Sequence, residues 1–147
     1  MKGWNPKVIV AGVDGSDQSI EAAQVAGALA SCHSAKLVVV TVVRPPEGWW
    51  GIVGSPPTAE ALGDSLSDAQ RDVLDRTLRS VDFSSVDYET MEEIGEPSAR
   101  LIDVCNRVNA DVLVVGRRGA GLLRRMVVGS VANHVVHEAP CPVLVVP

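Results

Sequence analysis

The chain has 147 residues, 46% of them apolar but only 3% aromatic, and its 18 acids against 13 bases leave a net charge of −5. That length suits one domain spanning 1–147, which buries roughly 68–70% of its unfolded surface and so builds a core without disulfide or metal. The acidic balance excludes a general nucleic-acid binder, which carries a basic face, and the scarcity of rings means a core of Val, Leu, Ile and Ala.

Cys32, Cys105 and Cys141 are widely spaced and odd in number, which fits a reducing cytosol better than a disulfide framework. Each is expected to behave as a small apolar residue. The N-terminal residues lack a long apolar stretch, and no apolar run approaches ~18 residues, so neither a signal peptide nor a membrane span is expected and the location is cytoplasmic.

In chain order, residues 7–13 (KVIVAGV) form a continuous apolar run that ends in Asp14-Gly15-Ser16. Runs at 36–43, 112–115 and 142–146 share that character. Apolar runs without alternation indicate strands buried on both faces, as in parallel sheets. Residues 86–94 alternate and carry charge, which indicates an edge strand. Helical spacing lies between these runs. Ile20, Ala23, Gly27 and Ala30 follow a Ser16/Asp17 cap signal. Leu62, Leu66, Ala69, Val73 and Thr77 form a second stripe. Pro97 stands at a first helical position before Leu101, Cys105 and Val108. Ser130 is expected to cap a last helix through Val135 and Val136, stopped by Pro140. Residues 44–57 (RPPEGWWGIVGSPP) are expected to form a long irregular loop whose Trp49 and Trp50 serve as a lid, a partner surface or a local cluster.

The resulting order, β-α-β-α-β-α-β-α-β, predicts an α/β fold with an open parallel five-stranded sheet and helices on both faces. Right-handed crossovers and the edge strand favour the order 3-2-1-4-5. Strands 1 and 4 are then neighbours whose connections leave in opposite directions, and ligands bind in the crevice outside their carboxyl ends.

Asp14-Gly15-Ser16 and the stretch from Gly116 to Ser130 (GRRGAGLLRRMVVGS) both reach that crevice. The second stretch has four arginines and no acid. Its glycines let the backbone approach a ligand closely, and Gly129-Ser130 opens a helix whose first N–H groups attract an anion. The stretch is an anion cradle in an acidic protein. It is neither a Walker A loop, since no Gly-Lys-Ser/Thr occurs, nor a GxGxxG turn, nor a GxSxG elbow. Asp14 has a simpler role available as a helix cap, and Arg124 and Arg125 as solvated surface. His134 and His137 with Cys105 or Cys141 lack a fourth zinc ligand, so no metal site is assigned to them.

The spacing Gly116-x₂-Gly119-x₉-Gly129-Ser130 resembles the G-x₂-G-x₉-G-[S/T] motif of the universal stress protein family. Val13-Asp14-Gly15-Ser16 resembles that family's first strand and loop, and the ending APCPVLVV (139–146) is similar to its C-terminus. The resemblance implies a Rossmann-like, adenine nucleotide alpha hydrolase-like fold. It also implies an adenine nucleotide, usually ATP with Mg²⁺ or Mn²⁺. Carried over by position, Gly12, Val13 and Asp14 border the ribose and adenine side, and Val42 meets adenine through its backbone. Gly116 lines the ribose, where an added methyl would crowd the ligand. Gly119, Gly129, Ser130 and Val131 surround the phosphates, with Arg117 and Arg118 close by. The resemblance further implies a homodimer paired through residues 143–146. Other readings of the same residues are a slow ATPase or nucleotidyl transferase, and a dimeric interaction module without nucleotide.

Overall fold

The computed structural model describes residues 3–45, 59–118 and 128–147. Trp49, Trp50, Gly119, Arg124 and Arg125 lie outside the described residues. The elements are β1 (Val8–Val13), α1 (Asp17–His33), β2 (Lys36–Val43), α2 (Ala59–Ser80), β3 (Asp87–Ile94), α3 (Pro97–Val108), β4 (Val112–Gly116), α4 (Ser130–Glu138) and β5 (Val143–Val146). The strands form one parallel sheet in the order β3-β2-β1-β4-β5, as expected.

The apolar runs do not alternate because the central strands are covered on both sides. On β1, Ile9, Ala11 and Val13 face one core layer with the Ala-rich face of α1, and Leu74 of α2 joins them. Val10 faces the opposite layer with Leu101 and Val104 of α3 and Val135 of α4. Thus α1 and α2 cover one face and α3 and α4 the other, as right-handed crossovers leaving β1 in both directions require. β3 is the alternating edge strand.

Two local expectations need correction. On α2, Ala69 is exposed, and Gln70 and Leu74 turn inward instead. The Gln70 amide donates to the Glu93 carbonyl at 2.7 Å, so a polar side chain is buried there with its partner supplied by β3. The N-cap of α4 is Gly129, with Ser130 the first helical residue. Val136 on that helix is exposed while Val135 is fully buried.

Cys32 is exposed on α1 and therefore does not act as a buried apolar residue. Cys105 is buried and Cys141 half-buried beside it. Burial, with Cys141 as neighbour, pushes the Cys105 thiol up to about 12, so it stays protonated and unreactive at neutral pH. A thiol reagent such as dithiobis(nitrobenzoate) is expected to modify Cys32 in the native protein at least tenfold faster than Cys105. Peptide mapping after a timed quench checks this.

Candidate nucleotide site

The site begins where strand pairing stops. β1 pairs with β4 only from Ile9↔Val112 to Ala11↔Val114, whereas β4 continues along β5 to Gly116↔Val146. Beyond Ala11 the two central strands separate, and a cleft of about 450 Å³ opens between them. This is the point where the sheet reverses its direction of growth, the usual ligand position in open α/β sheets. On the other flank, β2 pairs with β1 as far as Thr41↔Val13. Val42 lies one residue past that pairing and lines the cleft.

The β1–α1 turn forms one wall. Gly15 has φ +82°, which glycine adopts without strain. The Asp14 carboxylate accepts from the Ser16 N–H at 2.9 Å. Ser16 caps α1 by accepting from the Ser19 N–H at 3.2 Å. The Ser19 hydroxyl donates to the Ser16 carbonyl at 2.9 Å and accepts from the Asp14 N–H at 3.2 Å. Asp14 therefore organises the turn while also lining the cleft, and the cap itself is Ser16.

Gly116 sits at the end of β4. A Cβ there would lie 3.0 Å from the backbone carbon and oxygen of Gln18 in the first turn of α1. Its lack of a side chain thus serves the contact between β4 and α1. A packing reason for the glycine therefore stands beside the expectation that alanine at 116 would crowd a ligand.

The opposite wall is the start of α4. The Arg117 N–H donates to the Val146 carbonyl at 2.7 Å, and the Gly129 N–H donates to the Arg117 carbonyl at 2.7 Å. The second bond fastens the two ends of the 117–129 connection together and occupies the Gly129 amide. The first intrahelical bond of α4 runs from the Asn133 N–H to the Gly129 carbonyl. The N–H groups of Ser130, Val131 and Ala132 have no intrahelical acceptor, and among the described residues no side chain caps the helix. By contrast, Ser16 caps α1 and Glu96 caps α3. All three α4 residues line the cleft. Arg117 and Arg118 line it as well, and the Nε of each is buried with no hydrogen-bond partner among the described residues. Donors and positive charge thus converge on one end of the cleft.

The other end is apolar, built from Val40, Val42, Pro97 and Leu101. Ser19, Val40, Arg44, Pro97, Leu101 and Ala132 are lining residues that the sequence reading does not identify. The available signal was topological, because in a parallel sheet every helix begins at the carboxyl edge. The start of α3 therefore lands beside the same crevice. Arg44 donates to Glu96 at 3.2 Å. Partial burial alone would raise the Glu96 carboxyl, but hydrogen bonds from Ser98 and Ala99, together with Arg44, hold it below its ordinary value.

The universal stress protein family model matches residues 6–147. The chain belongs to the universal stress protein family. A universal stress protein of Synechocystis is 33% identical over 143 residues, covering 96% of this chain and 85% of that protein. Among solved structures, a universal stress protein from Lactobacillus plantarum superposes with a TM-score of 0.80 at 25% identity, covering 99% of this chain and all of the other. Another, solved in complex with cAMP, has a TM-score of 0.69 at 27% identity and covers 98% of this chain and 99% of its own. No described helix of this universal stress protein is long and apolar enough to cross a membrane.

Proposed function

We propose that the chain is a cytosolic regulator that binds an adenine nucleotide, ATP above all, in the cleft between β1 and β4. The observation that carries this reading is the start of α4, which no described side chain caps, facing the same space as the Nε atoms of Arg117 and Arg118, which have no partner among the described residues. Polyphosphate suits that end, where N–H groups, helix dipole and guanidinium groups converge. The apolar end at Val40, Val42 and Leu101 suits a purine ring. Asp14 stands between them, beside the ribose. The cAMP complex of a relative at 27% identity supports an adenine nucleotide as the ligand class.

Asp14, the one carboxylate among the described lining residues, is held in its turn, so Mg²⁺ or Mn²⁺ would be carried by the phosphates of the nucleotide. Such an ion supplies charge neutralisation to the triphosphate. Residues 119–127 contain no acid and no histidine, and Asp14 is engaged in its turn. That arrangement supports binding with little or no turnover, since phosphoryl transfer needs a group that orients the attacking nucleophile. The open edge of β5, where Leu144 is exposed, supports pairing with a second copy of the chain.

The test is to purify the protein without added nucleotide, denature it and identify released small molecules by mass. Calorimetric titration with ATP and Mg²⁺ follows. ATP released near one per chain, or saturable binding at that ratio, is the expected result. An empty protein that also ignores added ATP and cAMP would leave only the dimeric interaction module.

A further inference from the structure

We propose that Arg44 is a nucleobase-clamping residue, its guanidinium held over the purine end of the cleft by Glu96. The inference rests on the nucleotide reading above and deepens it by assigning a residue outside the glycine motif to recognition of the base.

Position is the first argument. β2 and β4 are separated by β1, so their ends lie about 10 Å apart at the usual spacing of neighbouring strands. The phosphate-seeking groups are all at the β4 and α4 end. Arg44 follows the last residue of β2, on the same side as Val42 and Pro97. A nucleotide whose phosphates meet α4 therefore brings its base, not its phosphates, to Arg44.

The second argument is how Arg44 is held. The Gly95 N–H donates to the Val43 carbonyl at 2.9 Å, which fixes the end of β2 against the entry to α3. Glu96 is immobilised by the helix it caps, through the Ala99 N–H at 2.9 Å and the Ser98 hydroxyl. Its remaining oxygen accepts from Arg44 Nη2 at 3.2 Å. The ion pair thus links the end of β2 to the start of α3, with Arg44 lining the cleft. Both side chains are more than half or about half exposed, so the pair itself adds little to stability. Its effect is to hold a planar cation at the cleft rim. A guanidinium stacks on an aromatic face, which an ammonium on a flexible stem does less well.

The test compares wild type, Arg44→Ala and Arg44→Lys, titrated with ATP and with inorganic tripolyphosphate as competitor. The expected result is an ATP affinity about 5- to 30-fold weaker in Arg44→Ala. Arg44→Lys is expected to be nearly as weak, and tripolyphosphate affinity to stay within about twofold. Full rescue by lysine, equal loss of tripolyphosphate, or unchanged ATP affinity in Arg44→Ala would each overturn the assignment. The outcomes stay separable: a wild type that ignores ATP refutes the nucleotide cleft, whereas failure at Arg44 alone leaves that cleft standing. Thermal melts of all three proteins should coincide, because the pair is exposed.

Discussion

Gly116→Ala is expected to lower the melting temperature markedly, while Gly12→Ala leaves it nearly unchanged and weakens nucleotide binding instead. At both positions an added Cβ would meet its nearest neighbour at 3.0 Å. What differs is the neighbour. At Gly116 it is the backbone of Gln18, held in the first turn of α1 and unable to yield without shifting the helix. Overpacking of that kind costs about 1–3 kcal/mol, or roughly 2–4 °C per kcal/mol for a chain of this size. At Gly12 the neighbours are the two terminal methyls of Leu101, which can swing aside. The reduced freedom of the unfolded chain, about 0.4–1 kcal/mol, offsets the local push. Leu101 lines the apolar end of the cleft, so its displacement narrows the space for a base. Melting curves and ATP titrations on both variants check the crossing pattern. Equal melting temperatures, or a Gly116→Ala protein that is stable yet loses ATP, would show that the Gly116 contact with α1 is misjudged.

The same contrast shows what the sequence could and could not reveal. The sheet was legible because strands covered on both faces must be apolar at every position, and the run at 36–43 has no other reading once turns bracket it. The order of strands followed from handedness and from one charged strand that had to lie at the rim. On α2, Val73 and Thr77 turn inward as expected, and the stripe fails at Ala69 because periodicity counts Gln70 as polar and therefore outward. Its amide is buried only because the Glu93 carbonyl waits for it across the layer. Ser130 read as a cap because serine commonly is one. The structure moves the cap to Gly129, whose amide is drawn to the Arg117 carbonyl. Neither partner is a sequence neighbour, so no local pattern could report the bond.

The site divides along the same line. Gly12, Val13, Asp14, Val42, Gly116, Arg117, Arg118, Gly129, Ser130 and Val131, the described residues that the resemblance assigns, all line one cleft. The glycine spacing is legible because it encodes backbone geometry, which sequence expresses directly. Arg44, Pro97 and Leu101 were not legible, because their role depends on α3 starting at the same edge of the sheet as α1 and α4. The positive end was legible despite the acidic total charge, because its four arginines fall in one segment that has no acid.

That segment sets the second large expected effect. Replacing both Arg117 and Arg118 by glutamine should reduce ATP affinity by roughly two to four orders of magnitude. Each arginine is expected to make at least one charge-assisted hydrogen bond to phosphate, worth about 1.5–3 kcal/mol, and tenfold in affinity corresponds to about 1.4 kcal/mol. The fold should survive, because it is the Arg117 backbone that holds the β4–β5 ladder and the Gly129 tie, and glutamine keeps that N–H and carbonyl. Removing two buried Nε atoms that lack partners among the described residues also relieves a desolvation cost in the empty protein. The unliganded double variant should therefore melt no lower than wild type, even as it loses ligand. Its residual affinity should depend less on salt, since exposed charge–charge attraction is what salt screens. Calorimetry at two ionic strengths, with melts of the empty proteins, measures all three quantities. Unchanged affinity with an unchanged salt response would place the phosphates elsewhere and leave the start of α4 without its anion.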